Sequence, residues 1–218
     1  MTDYLKLVLI RHGESWGNVA GRLEGQMSTP LSAQGQRQAQ QLGAYLQRQT
    51  PPTLLYSSPL QRAVETAEVL QQATGCPLTL DPDLQELHQG IFQGLTWAEA
   101  SQRYPEVCTQ LTTCLDYRPV PGAETLELAH QRATGWYRAL WQRHGAGDVI
   151  WVVSHGGWMQ QLIGVIMGCD RTWQISIHNT GLFELWLLSP QLNHHNRQNP
   201  EYWKIIKFNE IPHLARNS

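Results

Sequence analysis

Two apolar runs of strand length, Leu5 to Ile10 and Val149 to Val153, each lead into a histidine followed by glycine: Arg11-His12-Gly13 after the first, Ser154-His155-Gly156 after the second. Runs this rich in Leu, Ile and Val belong to strands covered on both faces, the usual environment of a parallel sheet in an α/β protein. Open sheets of that kind gather their ligand-binding groups at the carboxyl ends of the strands. If the two strands lie side by side and parallel, His12 and His155 come to the same sheet edge. Together with the alternation of strands and helices along the chain, this predicts a three-layer α/β/α sandwich with a mainly parallel central sheet.

A third segment points to the same edge. Leu54 to Ser57 reads as a short strand that turns into a helix opened by Ser58 as N-cap and Pro59 at the first position. Leu60, Ala63, Val64, Ala67 and Leu70 form its apolar stripe, which leaves Arg62 in the first turn, off that stripe and near the positive end of the helix dipole. Arg11, Arg62, His12 and His155 together make a local anion pocket. Gly13 allows close backbone approach, Asn18 adds a hydrogen-bonding group within one helical turn or a short loop, and Gly156 and Gly157 precede the amphipathic run Trp158 to Met167.

The remaining sequence is organised as alternating strands and helices. Ser32 caps a helix with Ala39, Leu42 and Leu46 on one face. Thr96 and Glu99 form a capping box before a shorter helix. Leu126, Ala129, Ala133, Trp136, Tyr137 and Leu140 line a long one. Leu182 to Leu188 and Tyr202 to Phe208 read as further strands, and the polar stretch Ser189 to Pro200 as a surface loop with His194 and His195 solvated. At 218 residues and 41% hydrophobic, the chain suits one α/β domain spanning 1–218. A net charge of -2 excludes a broadly basic nucleic-acid surface. The first strand begins within a few residues of the N-terminus and no apolar run reaches membrane-spanning length, which predicts a cytoplasmic protein without signal peptide or membrane span. Cys76, Cys108, Cys114 and Cys169 lack metal-site spacing and read as reduced packing residues.

The motifs now carry a family resemblance. Leu9-Ile10-Arg11-His12-Gly13-Glu14 with Asn18, Ser58-Pro59-Leu60-Gln61-Arg62-Ala63, Leu84-Gln85-Glu86 with Gly90 and Gly94, and Val153-Ser154-His155-Gly156 resemble, in order, the histidine phosphatase superfamily, in the branch of phosphoglycerate mutases and small-metabolite phosphatases. The resemblance implies that His12 is the nucleophile, that Arg11, Arg62 and His155 hold the phosphoryl group, and that Glu86 is the proton donor. Asn18, Gln26 and Gly156 are the further phosphate- or substrate-binding candidates. Glu124 matches a Pro-Gly-x-Glu segment that precedes a long helix, whereas Ser28 stands where many members carry an aspartate, so no role passes to that position. The chemistry is consistent with these roles. A neutral imidazole can attack a phosphomonoester dianion once cations neutralise its oxygens, and the leaving alkoxide needs a carboxylic acid such as Glu86. Read without the resemblance, Glu86 is equally a surface loop residue, with Glu14 and Glu124 the other acids in reach.

Rival chemistries find less in the chain. No cysteine is followed six positions later by arginine, and Asp81-Pro82-Asp83 lies in a turn pattern rather than an aspartate nucleophile motif. The histidines show no His-Glu-x-x-His pair, so no metal and no cofactor is expected. The reading is therefore a metal-independent phosphomonoester hydrolase acting on a small phosphorylated metabolite, phosphoserine or a sugar phosphate for example, as a monomer or homodimer. A cofactor-dependent phosphoglycerate mutase and a non-catalytic phospho-ligand sensor are the alternatives. The short stretch Tyr104 to Pro121, with Arg118 as its one arginine, favours hydrolysis over mutation. Trp16, Phe92 and Trp158 either shape the mouth of the pocket or belong to the core.

Overall fold

The computed structural model describes residues 4–114, 119–169, 175–188 and 203–214. Arg118, Tyr202 and the loop expectation for Ser189 to Pro200, with His194 and His195, lie outside them. Among the described residues the strands are β1 (Leu5–Arg11), β2 (Leu54–Ser57), β3 (Leu78–Leu80), β4 (Val149–Ser154), β5 (Leu182–Leu187) and β6 (Trp203–Glu210). The helices are α1 (Trp16–Val19), α2 (Ala33–Leu46), α3 (Gln61–Thr74), α4 (Trp97–Arg103), α5 (Pro105–Thr113), α6 (Leu126–Arg143) and α7 (Gly156–Ile166).

The strands form one mixed sheet in the order β3-β2-β4-β1-β5-β6. The first four are parallel, and β5 and β6 extend the sheet antiparallel to β1 and to each other. As the His-Gly repeat implies, β1 pairs directly with β4, in a register that places Arg11 opposite Ser154. Side chains alternate along β1. Leu5, Leu7 and Leu9 pack with Trp136, Tyr137 and Leu140 of α6 and with Met159 and Leu162 of α7, while Val8 and Ile10 pack with Leu42 of α2 and Ala67 and Leu70 of α3. Helices therefore cover both faces, and the predicted sandwich is the observed one. A third, smaller cluster, with Phe92, Leu95, Ala100 and Cys108, holds α4 and α5 together above the connection from β3.

Ser32 caps α2, and Thr96 with Glu99 makes the expected capping box on α4. The start of α3 differs from expectation. Leu60, not Ser58, is its N-cap, and no side chain caps it. The Ser58 hydroxyl has another partner: it lies 2.8 Å from Nε2 of His155 and also accepts from the Leu60 N–H. Cys76 and Cys108 are buried as packing residues, but Cys114 is exposed and Cys169 only partly buried. Phe92 and Trp158 are core residues, and Trp16 is solvent-exposed.

Packing also requires a glycine at position 13. A Cβ on Gly13 would lie 2.7 Å from the Gly35 carbonyl oxygen, and one on Gly35 would lie 1.9 Å from the carbonyl oxygen of Glu14. The two glycines let the first turn of α2 press its backbone onto the loop that carries His12. Backbone cannot move aside as a side chain can, so Gly35→Ala should cost about 3 kcal/mol, the upper end of overpacking penalties. Urea unfolding measures this, and a midpoint like that of the parent protein would contradict the close approach.

Candidate active site

The carboxyl ends of β1 and β4 open into a cleft of about 480 Å³ lined by Arg11, His12, Asn18, Arg22, Glu24, Arg62 and their neighbours Glu86 and Gln89. The His12 imidazole lies there almost fully buried. Its Nδ1 is 2.7 Å from the carbonyl oxygen of its neighbour Gly13. A carbonyl only accepts, so Nδ1 carries the proton and Nε2 keeps its lone pair. Arg62 Nε donates to that Nε2 at 3.2 Å, and the rest of the Arg62 guanidinium is fixed by the carbonyls of Met27 (2.7 Å) and Gly25 (2.8 Å). Burial first, then the positive charges of Arg11 and Arg62, push the His12 pKa well below the ordinary histidine value and so keep the ring neutral.

Arg62 is in the first turn of α3, as the sequence predicts, but buried rather than on an open helix face. Thr66, one turn on, explains part of its seating: its hydroxyl donates to the Arg62 carbonyl and accepts the Gly13 N–H. Arg11 is anchored at Nη1 by the Ile177 carbonyl, 2.5 Å away, while its Nε is buried with no protein partner. His155 stacks at a tilt on His12 with ring centroids 5.0 Å apart. Burial and the nearby His12, Arg62 and Arg11 hold its pKa far down, and its Nδ1 is buried without a partner.

Glu86 takes the place of the missing N-cap side chain of α7. Its carboxylate accepts the backbone N–H groups of Gly157 (3.0 Å), Trp158 (3.0 Å) and its neighbour Leu87 (2.9 Å). A Cβ on Gly157 would lie 2.6 Å from Glu86 Oε1, so this second glycine of Ser154-His155-Gly156-Gly157 makes room for the acid. Three of roughly four lone-pair positions on a carboxylate are filled, leaving one for a further partner. Arg132 of α6 holds the approach to this loop through the carbonyls of Asp83 (2.6 Å) and Gln85 (2.8 Å) and is clamped bidentately by Glu124. Glu124 is thus committed to Arg132, and Glu14 accepts the Ser32 hydroxyl.

The other predicted residues are placed as follows. Asn18 lines the cleft: one Nδ2–H donates to Glu24, Oδ1 accepts from Asn179 and from the Ser15 N–H, and the second Nδ2–H is left for a further acceptor. Gln26 ties its loop to the Glu86 backbone carbonyl at 3.1 Å. Gly156 begins α7 with Arg11 Nε 3.9 Å from where its Cβ would be. Sequence reasoning missed Glu24, Arg22 and Gln89. Each sits in a stretch with no periodicity, and only the folded approach of the loops brings it to the cleft.

Comparison with known proteins places this geometry among relatives. The model of the histidine phosphatase superfamily (branch 1) matches residues 7–192. A metal-independent phosphoserine phosphatase of Arabidopsis thaliana is 33% identical over 158 residues, 72% of this chain and 66% of that protein, just under two thirds of its length. A glucosyl-3-phosphoglycerate phosphatase of Mycolicibacterium vanbaalenii is 33% identical over 172 residues, 75% of this chain and 74% of its own. The solved structure of a mycobacterial glucosyl-3-phosphoglycerate phosphatase superposes with a TM-score of 0.76 at 26% identity, covering 94% of this chain and 99% of that one.

Proposed function

This chain belongs to the histidine phosphatase superfamily, branch 1, and from that premise we propose that it hydrolyses a small-metabolite phosphomonoester without a metal ion, through a phosphohistidine at His12. The observation that carries the reading is the state of His12: neutral, protonated on Nδ1 by its bond to Gly13, and offering Nε2 beside the Arg62 guanidinium. In the first step the Arg62 Nε–H shifts from His12 Nε2 to a phosphoryl oxygen, the freed Nε2 lone pair forms the N–P bond as the P–O bond to the organic group breaks, and Glu86 gives that alkoxide a proton. In the second step Glu86 takes a proton from water, the water oxygen bonds to phosphorus, and the N–P bond breaks to return neutral His12. Arg62 and Arg11 meet the charge on the transferring oxygens, and the unpartnered Arg11 Nε and His155 Nδ1 are suited to receive them. Asn18 is suited to give its second Nδ2–H to a phosphoryl or substrate oxygen, Gln26 holds its loop to the Glu86 carbonyl, and Gly156 opens α7 beside Arg11.

Arg22 adds a cation at the open rim, paired with Glu99 at 3.0 Å. Glu99 balances the Arg22 charge, so the acidic substrate class, phosphoserine or a phosphoglycerate derivative, rests on the names of the relatives above. The test is phosphate release from a panel of phosphoserine, 3-phosphoglycerate and neutral sugar phosphates, in buffer with and without EDTA. The expected result is turnover of at least one acidic phosphomonoester at an unchanged rate in EDTA, because guanidinium groups supply the positive charge. Loss of activity in EDTA with recovery on adding magnesium would sink the metal-independent mechanism.

A further inference from the structure

Glu24 is the one group in the cleft that a phosphoryl pocket has no evident use for. It is 6% exposed yet lines the cleft, with Oε2 3.8 Å from Arg62 Nε. Ser15 Oγ (2.7 Å) and Asn18 Nδ2 (3.0 Å) donate to Oε2, and the Thr29 hydroxyl donates to Oε1. Room has been cut for it, because a Cβ on Gly17 would fall 2.2 Å from Glu24 Oε1. Each of these partners is a donor, and together they leave one acceptor position, with Arg62 Nε at 3.8 Å the nearest cation. What Glu24 contributes to the cleft is its charge, fixed beside the guanidinium that also faces His12.

We propose that Glu24 is a built-in counter-charge that weakens the pocket's hold on phosphate dianions, so that product leaves and binding energy is kept for the transition state. The proposal rests on the phosphoryl-transfer reading above. Inorganic phosphate and the bound substrate present a concentrated dianion, which a carboxylate a few ångströms away repels in a buried site. In a loose, metaphosphate-like transition state the transferring group carries less charge, so the same carboxylate penalises it less. Binding ground state and product less tightly costs nothing in kcat and avoids inhibition by product. Glu24, like the proton donor Glu86, interacts favourably with both Arg11 and Arg62, so its field falls on both guanidinium groups rather than on one.

The experiment is calorimetric titration of inorganic phosphate, repeated with orthovanadate, into the parent protein and Glu24→Gln, alongside steady-state kinetics. The expected result is about tenfold tighter binding of both oxyanions by Glu24→Gln and a lower KM, with no gain in kcat. A merely structural Glu24 predicts the opposite sign, since disordering Arg62 and Asn18 would loosen oxyanion binding, so equal or weaker binding by the variant overturns the proposal. Absence of oxyanion binding by both the parent protein and Glu24→Gln would instead overturn the phosphoryl-pocket reading, and the proposal with it. Thr29→Val is the structural control: it removes one donor from Glu24 and keeps the charge, so it should not tighten phosphate binding, and tightening equal to that of Glu24→Gln contradicts the counter-charge. If Glu24→Gln does not fold, Glu24→Met replaces it, with tighter oxyanion binding expected and equal or weaker binding overturning the proposal.

Discussion

His12→Ala lowers kcat on every phosphomonoester by about 10⁴-fold or more, the scale of losing a covalent nucleophile. The protein should still fold and still bind inorganic phosphate, because Arg11, Arg62 and His155 are anchored independently of the imidazole: Arg11 on the Ile177 carbonyl, Arg62 on the Gly25 and Met27 carbonyls, His155 on Ser58. Circular dichroism and phosphate titration separate this from unfolding. Substantial activity left in a folded His12→Ala protein would mean that another group attacks phosphorus.

The second large effect concerns Glu86, and it depends on the leaving group. Glu86→Gln removes the proton that an alkoxide needs, so alkyl phosphates should slow by about 10²-fold or more, the usual contribution of a positioned general acid. p-Nitrophenyl phosphate should slow far less in the first step, because nitrophenolate leaves without a proton. The substitution is also structurally mild, since the amide oxygen of glutamine can still accept some of the N–H groups of Leu87, Gly157 and Trp158 that fix the present carboxylate. Equal losses on both substrates, compared by pre-steady-state release of the leaving group, would make Glu86 a cap of α7 and no more. Glu124 is an unpromising replacement because both its oxygens are held by Arg132.

The parts of the molecule that were legible in the sequence are those in which local pattern and fold agree. The apolar runs ending in His12-Gly13 and His155-Gly156 carry the strand period, the burial and the sheet edge at once, and β1 and β4 do pair in parallel. Ser32 and the Thr96–Glu99 box announce their helices because the capping bonds lie within a single turn. Where tertiary contacts outbid local ones, the reading slips. Ser58 has the chemistry of an N-cap but pairs with His155, so α3 starts later. Three-residue β3 and the helix α5 opening at Pro105 offer too little periodicity to be seen. Pairing direction is not a local property either, which is why the antiparallel attachment of β5 and β6 is visible only in the fold. Glu24 is the extreme case: its sequence neighbours describe a loop, and its meaning comes from Ser15, Asn18, Thr29 and Arg62 converging on it.

The central claim, that phosphorus bonds to His12 Nε2 during turnover, is tested most directly by trapping. Turnover of a ³²P-labelled substrate is stopped in denaturant within the first catalytic cycle and the digested protein mapped by mass spectrometry. The account predicts acid-labile, base-stable phosphate on the peptide that contains His12. Label stable to acid, label on a peptide without His12, or rapid turnover with no protein-bound phosphate at any quench time would contradict it.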